Sequence, residues 1–231
     1  GCVQVPFRYP EIVARIREAA DYPIVMVMDM EMGFPTSQLP PVPLMTLSAC
    51  NKPEYYRAFA KALVADATKL GFNGIWGPVI DVLSGDGPAR VYRTFSDDPE
   101  HVARAAEQIA QVFAENHFLS CGKHYPGGND NRYDNHMTSV PSRCTVEELQ
   151  NFDLIPYKYL MERDLLPSIM TRHAVYENIE KSKHFESERN KLTYDMEIEA
   201  MYLVGDFGVK GDGAFREIEN DACFFTGEFV L

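Results

Sequence analysis

The chain is short of positive charge, of paired cysteines and of long apolar runs, and each shortage removes a class of function. Lys and Arg number 22 against 34 Asp and Glu, a formal net charge of -12 over 231 residues. Nucleic acid is bound through clustered Lys and Arg, and no such cluster occurs, so it is not an expected partner. The longest apolar runs, such as Tyr22 to Met28, are far shorter than the ~20 residues that span a bilayer, and no basic-then-apolar leader opens the chain. No membrane span is expected. The five cysteines (Cys2, Cys50, Cys121, Cys144 and Cys223) show neither CxxC nor metal-ligand spacing, which suits free thiols in a reducing compartment. A cytoplasmic protein is the expectation. Because the sequence begins Gly1-Cys2 without a methionine, a secreted or periplasmic location stays open. No glycine-rich phosphate loop follows the first apolar run, which argues against an open dinucleotide-binding sheet. Asp206-Phe207-Gly208 lacks the glycine-rich loop, strand lysine and H-R-D segment that would make it a kinase magnesium motif.

What is present is a repeating alternation. Short runs rich in Val, Ile, Met and Leu are separated by longer segments of helical period, the mark of a parallel sheet wrapped by helices. The reading places strands at Gly1–Val5, Ile24–Asp29, Gly74–Val79, Leu119–Lys123, Ser168–Thr171, Lys191–Tyr194 and Ala222–Thr226. The clearest helices are Glu54–Leu70 and Pro99–Asn116, each with one apolar face. Asp98-Pro99 supplies an N-cap and a first-turn proline, and Thr145-Val146-Glu147-Glu148 is a capping box. With 45% hydrophobic residues the chain can bury one large core, so residues 1–231 are expected to form a single α/β domain, its parallel sheet either closed into an eight-stranded (β/α)8 TIM-type barrel or left open and doubly wound. Seven strands fall one short of eight. Either the first β/α unit is lacking or truncated, or a weak strand lies within Asp81–Arg93.

Polar residues gather at the C-terminal ends of these strands: Asp29 and Glu31, then Asp81, Lys123 and His124, Arg172 and His173, and Asp195 and Glu197. In a parallel barrel those ends form the active face, where residues distant in sequence converge. The densest group is Lys123-His124-Tyr125-Pro126-Gly127-Gly128, followed by Asp134-Asn135-His136. Its glycines allow close approach of backbone and ligand, and its turn-forming residues suit a loop. Zinc ligation by His124, His136 and Asp134 is disfavoured, since no HExxH or paired Cys/His spacing supports it and Lys123 would oppose a cation. Neither metal nor cofactor is expected.

Those residues resemble glycoside hydrolase family 3, in its bacterial β-N-acetylglucosaminidase branch. The family signature reads K-H-F-P-G-H-G and then D-[ST]-H, and here Lys123 to Gly127 and Asp134-Asn135-His136 follow it. In the family's order, Met28-Asp29-Met30-Glu31-Met32-Gly33 resembles I-D-Q-E-G-G, and Gly77-Pro78-Val79-Ile80-Asp81-Val82 resembles A-P-V-x-D-V. Arg93 to Glu100 resembles R-S-F-G-x-D-P-E, and Met170-Thr171-Arg172-His173 resembles M-T-A-H. The resemblance implies a (β/α)8 barrel and retaining hydrolysis of terminal β-linked N-acetylhexosamine, with a carbohydrate as the partner. It implies Asp195 as nucleophile, from Thr193 to Met201 set beside T-D-x-M-E-M-x-A-I, and His136 as acid/base with Asp134 as its dyad partner. Asp29, Arg93, Lys123, His124 and His173 would hold the sugar. Cell-wall sugar recycling is the implied setting.

The sequence also departs from the family. Gly128-Asn129 stands in place of H-G, and Asn135 in place of Ser or Thr. Asp195 lies only 22 positions after His173, where the family has a full helix and the approach to the next strand. Asp206, Asp212 and Glu217 are the fallback carboxylates. Two other functions stay in view: a sugar phosphorylase on the same site, and a non-catalytic sugar-binding relative.

Overall fold

The computed structural model describes residues 2–5, 10–33, 41–84, 91–128, 141–172 and 174–179, and the backbone strands at 201–203, 210–211, 214–218, 222–226 and 229–230. Strand β1 (Cys2–Gln4) leads through α1 (Pro10–Ala19) to β2 (Val25–Val27), and the two strands pair in parallel. Helices α2 (Leu44–Cys50) and α3 (Pro53–Lys69) follow. The next segment runs beside β2, with Gly74 N–H donating to Met26 O and Trp76 N–H to Met28 O. Parallel bridges Gly74 to Leu119 and Val79 to Lys123 then join it to the approach and start of β3 (Gly122–Tyr125). Between them lie a 3-10 turn at Val91–Arg93 and α4 (Pro99–Glu115). β4 (Pro141–Ser142), α5 (Val146–Asn151) and α6 (Ile155–Met161) lead to β5 (Ser168–Thr171), which pairs in parallel with β3. β6 (Val175–Tyr176) pairs in parallel with β4. The N-terminal part is thus a row of neighbouring parallel segments in chain order, linked by right-sized helical crossovers.

The helices form where the sequence reading places them. Asp98 accepts from Glu100 N at 3.0 Å, Pro99 opens α4, and Val102, Ala106, Ile109 and Phe113 share its buried face. On α3, Ala60, Leu63, Val64 and Ala67 are buried, and Arg57 reaches across to Gln111 and Glu115 on α4. Thr145 and Glu148 cap each other's backbone N–H groups as the motif requires. Both faces of the parallel row are covered, as parallel sheets demand. Met26 and Met28 join the main core beneath the helices, while the intervening Val27 packs with Trp76, Cys121 and Met170 on the other side.

The C-terminal strands differ from the expected alternation. β7 (Met201–Leu203) runs antiparallel to β5. The strand expected at Ala222–Thr226 is present as β10, but it forms an antiparallel hairpin with β9 (Ala214–Ile218) rather than a β/α unit. β8 (Lys210–Gly211) and β11 (Phe229–Val230) also pair antiparallel. Among the described residues the strands do not close into one barrel, and the strand expected at 191–194 lies outside them. No helix among the described residues is long and apolar enough to cross a membrane.

Ile109, 1% exposed, sits on the α4 face that meets this core. Ile109→Ala should lower unfolding free energy by about 2–5 kcal/mol, the usual cost of an unfilled core site, read as a shifted urea midpoint with unchanged slope.

Candidate functional site

The buried charged side chains gather around β3 and the turn that follows it. Asp81, Lys123, His124, Asp153 and Arg172 are all at or below 8% exposure, which ionisable groups tolerate only when paired. Two networks and the adjoining Gly127–Gly128 turn hold them.

The first is built on Glu31. After β2 the chain turns, and the Glu31 carboxylate meets the fork of Arg93, with Nε to Oε2 and Nη2 to Oε1 both at 2.7 Å. Lys123 Nζ lies 2.8 Å from Glu31 Oε1 and 2.7 Å from Asp29 Oδ1. Two cations and two carboxylates balance, and the paired Arg fork is the strongest arrangement available to a carboxylate. Burial pushes the Glu31 pKa up, but the Arg93 hydrogen bonds and the neighbouring Lys123 outweigh it and hold the group at about 2. Burial opposes the charge on Lys123 too, yet Glu31 and Asp29 raise its pKa, so the ammonium persists at 3% side-chain exposure. Asp29 differs from the rest. Its side chain is 57% exposed, so one carboxylate is both anchored by a buried lysine and open to a ligand.

The second network fixes His124. Asp81 Oδ1 accepts the His124 backbone N–H and Oδ2 faces its Nδ1, both at 2.9 Å. Burial opposes the charge on Asp81, but His124, and then Arg172, hold its pKa far below the carboxylate range. An ionised carboxylate only accepts, which assigns a proton to Nδ1 and leaves Nε2 without a hydrogen-bond partner among the described residues. The β3–β5 register shifts between Lys123 and Tyr125, so the regular alternation of side chains breaks at His124. Consecutive residues thereby reach different carboxylates.

Beyond Tyr125 the chain turns through Gly127 and Gly128, at φ +97° and +78°. Gly128 N–H donates to Asp153 Oδ1 at 2.8 Å, while Arg172 Nη1 and Tyr176 Oη both donate to Gly127 O, at 3.0 and 2.6 Å. A Cβ on Gly127 would stand 2.4 Å from the Asp153 Cβ, so only glycine fits. Among the described residues no group of three or more His, Cys, Asp and Glu forms a metal site.

Of the expected site residues, Asp29, Arg93, Lys123 and His124 come together, the first three through Glu31 and Lys123 and the fourth on the adjacent residue. Asp134, His136, His173 and Asp195 lie outside the described residues, as do Asp206 and Asp212. Glu217 lies on the backbone of β9. Sequence reasoning noticed Glu31 and Asp81 as strand-end acids without giving them partners, and it missed Asp153 and Tyr176. The only local signal for Asp153 is an acid set between Phe152 and Leu154 at a short helix junction.

Residues 10–194 match the model of the glycosyl hydrolase family 3 N-terminal domain. The chain belongs to that family. The match ends one residue before Asp195. A β-hexosaminidase from Tolumonas auensis is 26% identical over 175 residues, covering 73% of this chain and 52% of its own length. Native NagZ from Neisseria gonorrhoeae superposes with TM-score 0.68 at 22% identity, over 78% of this chain and 57% of that one. A family 3 β-N-acetylglucosaminidase from Paenibacillus sp. gives TM-score 0.68 at 24% identity, over 79% and 38%. The family 3 chain described here therefore spans about half the length of the curated relative, and less of the longer structural neighbour.

Glu31 makes acid sensitivity a property of this site. Its folded pKa lies below the ordinary value, so its contribution to stability is complete above pH ~4.5 and is lost as pH falls through about 2. Glu31→Gln should cost several kcal/mol at pH 7, about 3–5 on the scale of broken buried pairs. In urea titrations at successive pH values the gap between wild type and variant should narrow below pH ~4.5 and largely close near pH 2.

Proposed function

We propose that this chain carries the site of a retaining exo-glycosidase that hydrolyses terminal β-linked N-acetylhexosamine of the N-acetylglucosamine type. The observation that carries the reading is the cradle of Asp29, Lys123, Glu31 and Arg93 beside the Asp81–His124 pair. A sugar presents vicinal hydroxyls that both donate and accept, and here an exposed carboxylate stands against an ammonium with an imidazole on the next residue. The Paenibacillus neighbour is a β-N-acetylglucosaminidase and the Tolumonas relative a β-hexosaminidase, which supports the amino-sugar class.

In this reading Asp195 attacks the anomeric carbon while His136 protonates the departing glycosidic oxygen, and the bond to the aglycone breaks. A covalent glycosyl-Asp195 ester remains. Water then attacks the same carbon from the opposite face as His136 takes its proton, and the ester bond breaks to restore Asp195 and release the sugar with its configuration retained. A histidine suits both duties because its ordinary pKa of about 6.5 lies near neutral pH, and Asp134 would fix its tautomer and favour the imidazolium. Asp29, Arg93, Lys123, His124 and His173 serve substrate binding.

A 2-fluoro or 5-fluoro glycosyl donor should label Asp195, located by mass spectrometry of the digested protein. His136→Ala should lose about 100-fold or more on substrates with poor leaving groups and far less on activated aryl glycosides, which need little protonation. Equal losses on both would remove the general-acid role. The sugar product should be the free sugar in phosphate buffer; a sugar 1-phosphate would mark phosphorolysis instead.

A further inference from the structure

We propose that Asp153 is a positioning residue of this site: from the junction of α5 and α6 it fixes the Gly127–Gly128 turn, the point from which the chain runs on to Asp134 and His136. The inference rests on reading those two residues as the acid/base pair. Asp153 is 5% exposed and its Oδ1 accepts the Gly128 N–H at 2.8 Å. The turn is held from three elements at once, since Arg172 after β5 and Tyr176 on β6 converge on the Gly127 carbonyl. There is no slack between the parts. The Asp153 Cβ and Oδ1 stand 2.4 and 2.5 Å from where a Gly127 Cβ would be, and Gly127 N–H closes the turn on His124 O at 2.9 Å. The same turn thus ties the sugar-facing His124 to the onward segment.

A packing role alone would not call for a carboxylate here. Burial pushes the Asp153 pKa up, and Asp81 adds to that against the opposing pull of Gly128 N–H and Arg172, bringing it to about 6. Among the described residues, Asp81, Arg172, Tyr157 and Tyr176 are the titratable or charged groups that interact with it from the surrounding elements. Keeping a costly polar group there makes physical sense only if its acceptor is required, because a buried N–H left without a partner is itself expensive.

The test compares Asp153→Asn and Asp153→Ala in the full chain, on an activated aryl β-N-acetylglucosaminide and an unactivated alkyl one. The amide oxygen of Asn can still accept from Gly128 N–H, so that variant should stay within about 3-fold of wild type, whereas Ala should lose about 100-fold in kcat on the alkyl substrate, the scale of a 1 Å misplacement, and under about 10-fold on the aryl one. KM should move little. An Ala variant equal to wild type, or one losing the same factor on both substrates, overturns the proposal. If Asp153→Ala does not fold, amide hydrogen exchange decides: slow exchange of the peptide covering Gly127–Gly128 in wild type and in Asp153→Asn supports it, and loop-like exchange in wild type overturns it. The acid/base reading fails separately, if His136→Ala loses equally on both substrates or wild type cleaves neither, and the exchange measurement then decides Asp153 on its own.

Discussion

The site depends on one carboxylate being shared. Glu31 takes both prongs of Arg93 and one hydrogen of Lys123, and without it two cations would face each other across a buried space with only the half-exposed Asp29 between them. The charge balance is what permits Lys123 to sit almost completely buried, and burial is what makes its ammonium a strong, fixed donor rather than a solvated one. The anion at the centre of the network is committed to Arg93 and Lys123. Its work is done when the chain folds, and both cations are then fixed in place.

The acids around the site divide by what they face. Glu31 and Asp81 are committed to protein partners, and both are held ionised against burial by those partners. Asp153 leans the other way, because its main contacts are a backbone N–H and the nearby Asp81 charge, and burial prevails. Asp29 alone keeps a large exposed surface. Three buried acids within one region are thus driven in opposite directions by environment alone, Glu31 and Asp81 toward the carboxylate and Asp153 toward the acid.

What was legible in the sequence was what is local. Asp98 before Pro99 and the Thr145–Glu148 box announce helix starts because a cap needs only residues within one turn. The polar positions Asp29, Lys123 and His124 were legible because an apolar run gives way to each, although Lys123 and His124 lie within β3 rather than past its end. The pairings were not. Arg93 meets Glu31 across 62 positions, His124 meets Asp81 across 43, and Gly128 meets Asp153 across 25, and nothing short of the fold specifies which strand-end acid faces which cation. The C-terminal hairpin shows the converse limit. An apolar run such as Ala222–Thr226 reads as a strand whichever partner it takes, so the antiparallel pairing with Ala214–Ile218 left no trace in composition.

The departure at Gly128 acquires a physical meaning from the same geometry. The family motif has histidine there, but in this chain the backbone stands at φ +78°, and an added Cβ would lie 3.0 Å from Ser142 Oγ and 3.2 Å from both Cys144 Sγ and Tyr176 Cε1. A side chain at this position would need Ser142, Cys144 and Tyr176 to give by a few tenths of an ångström, on a backbone strained for any residue but glycine. Loss of the histidine and tight closure of the turn are therefore two descriptions of one packing solution. A motif comparison scores the change as decay of a signature; the contacts show a turn held by Asp153, Arg172 and Tyr176 with a backbone only glycine adopts readily. The substitution removes one imidazole and leaves the ordering of the turn to the protein's own side chains.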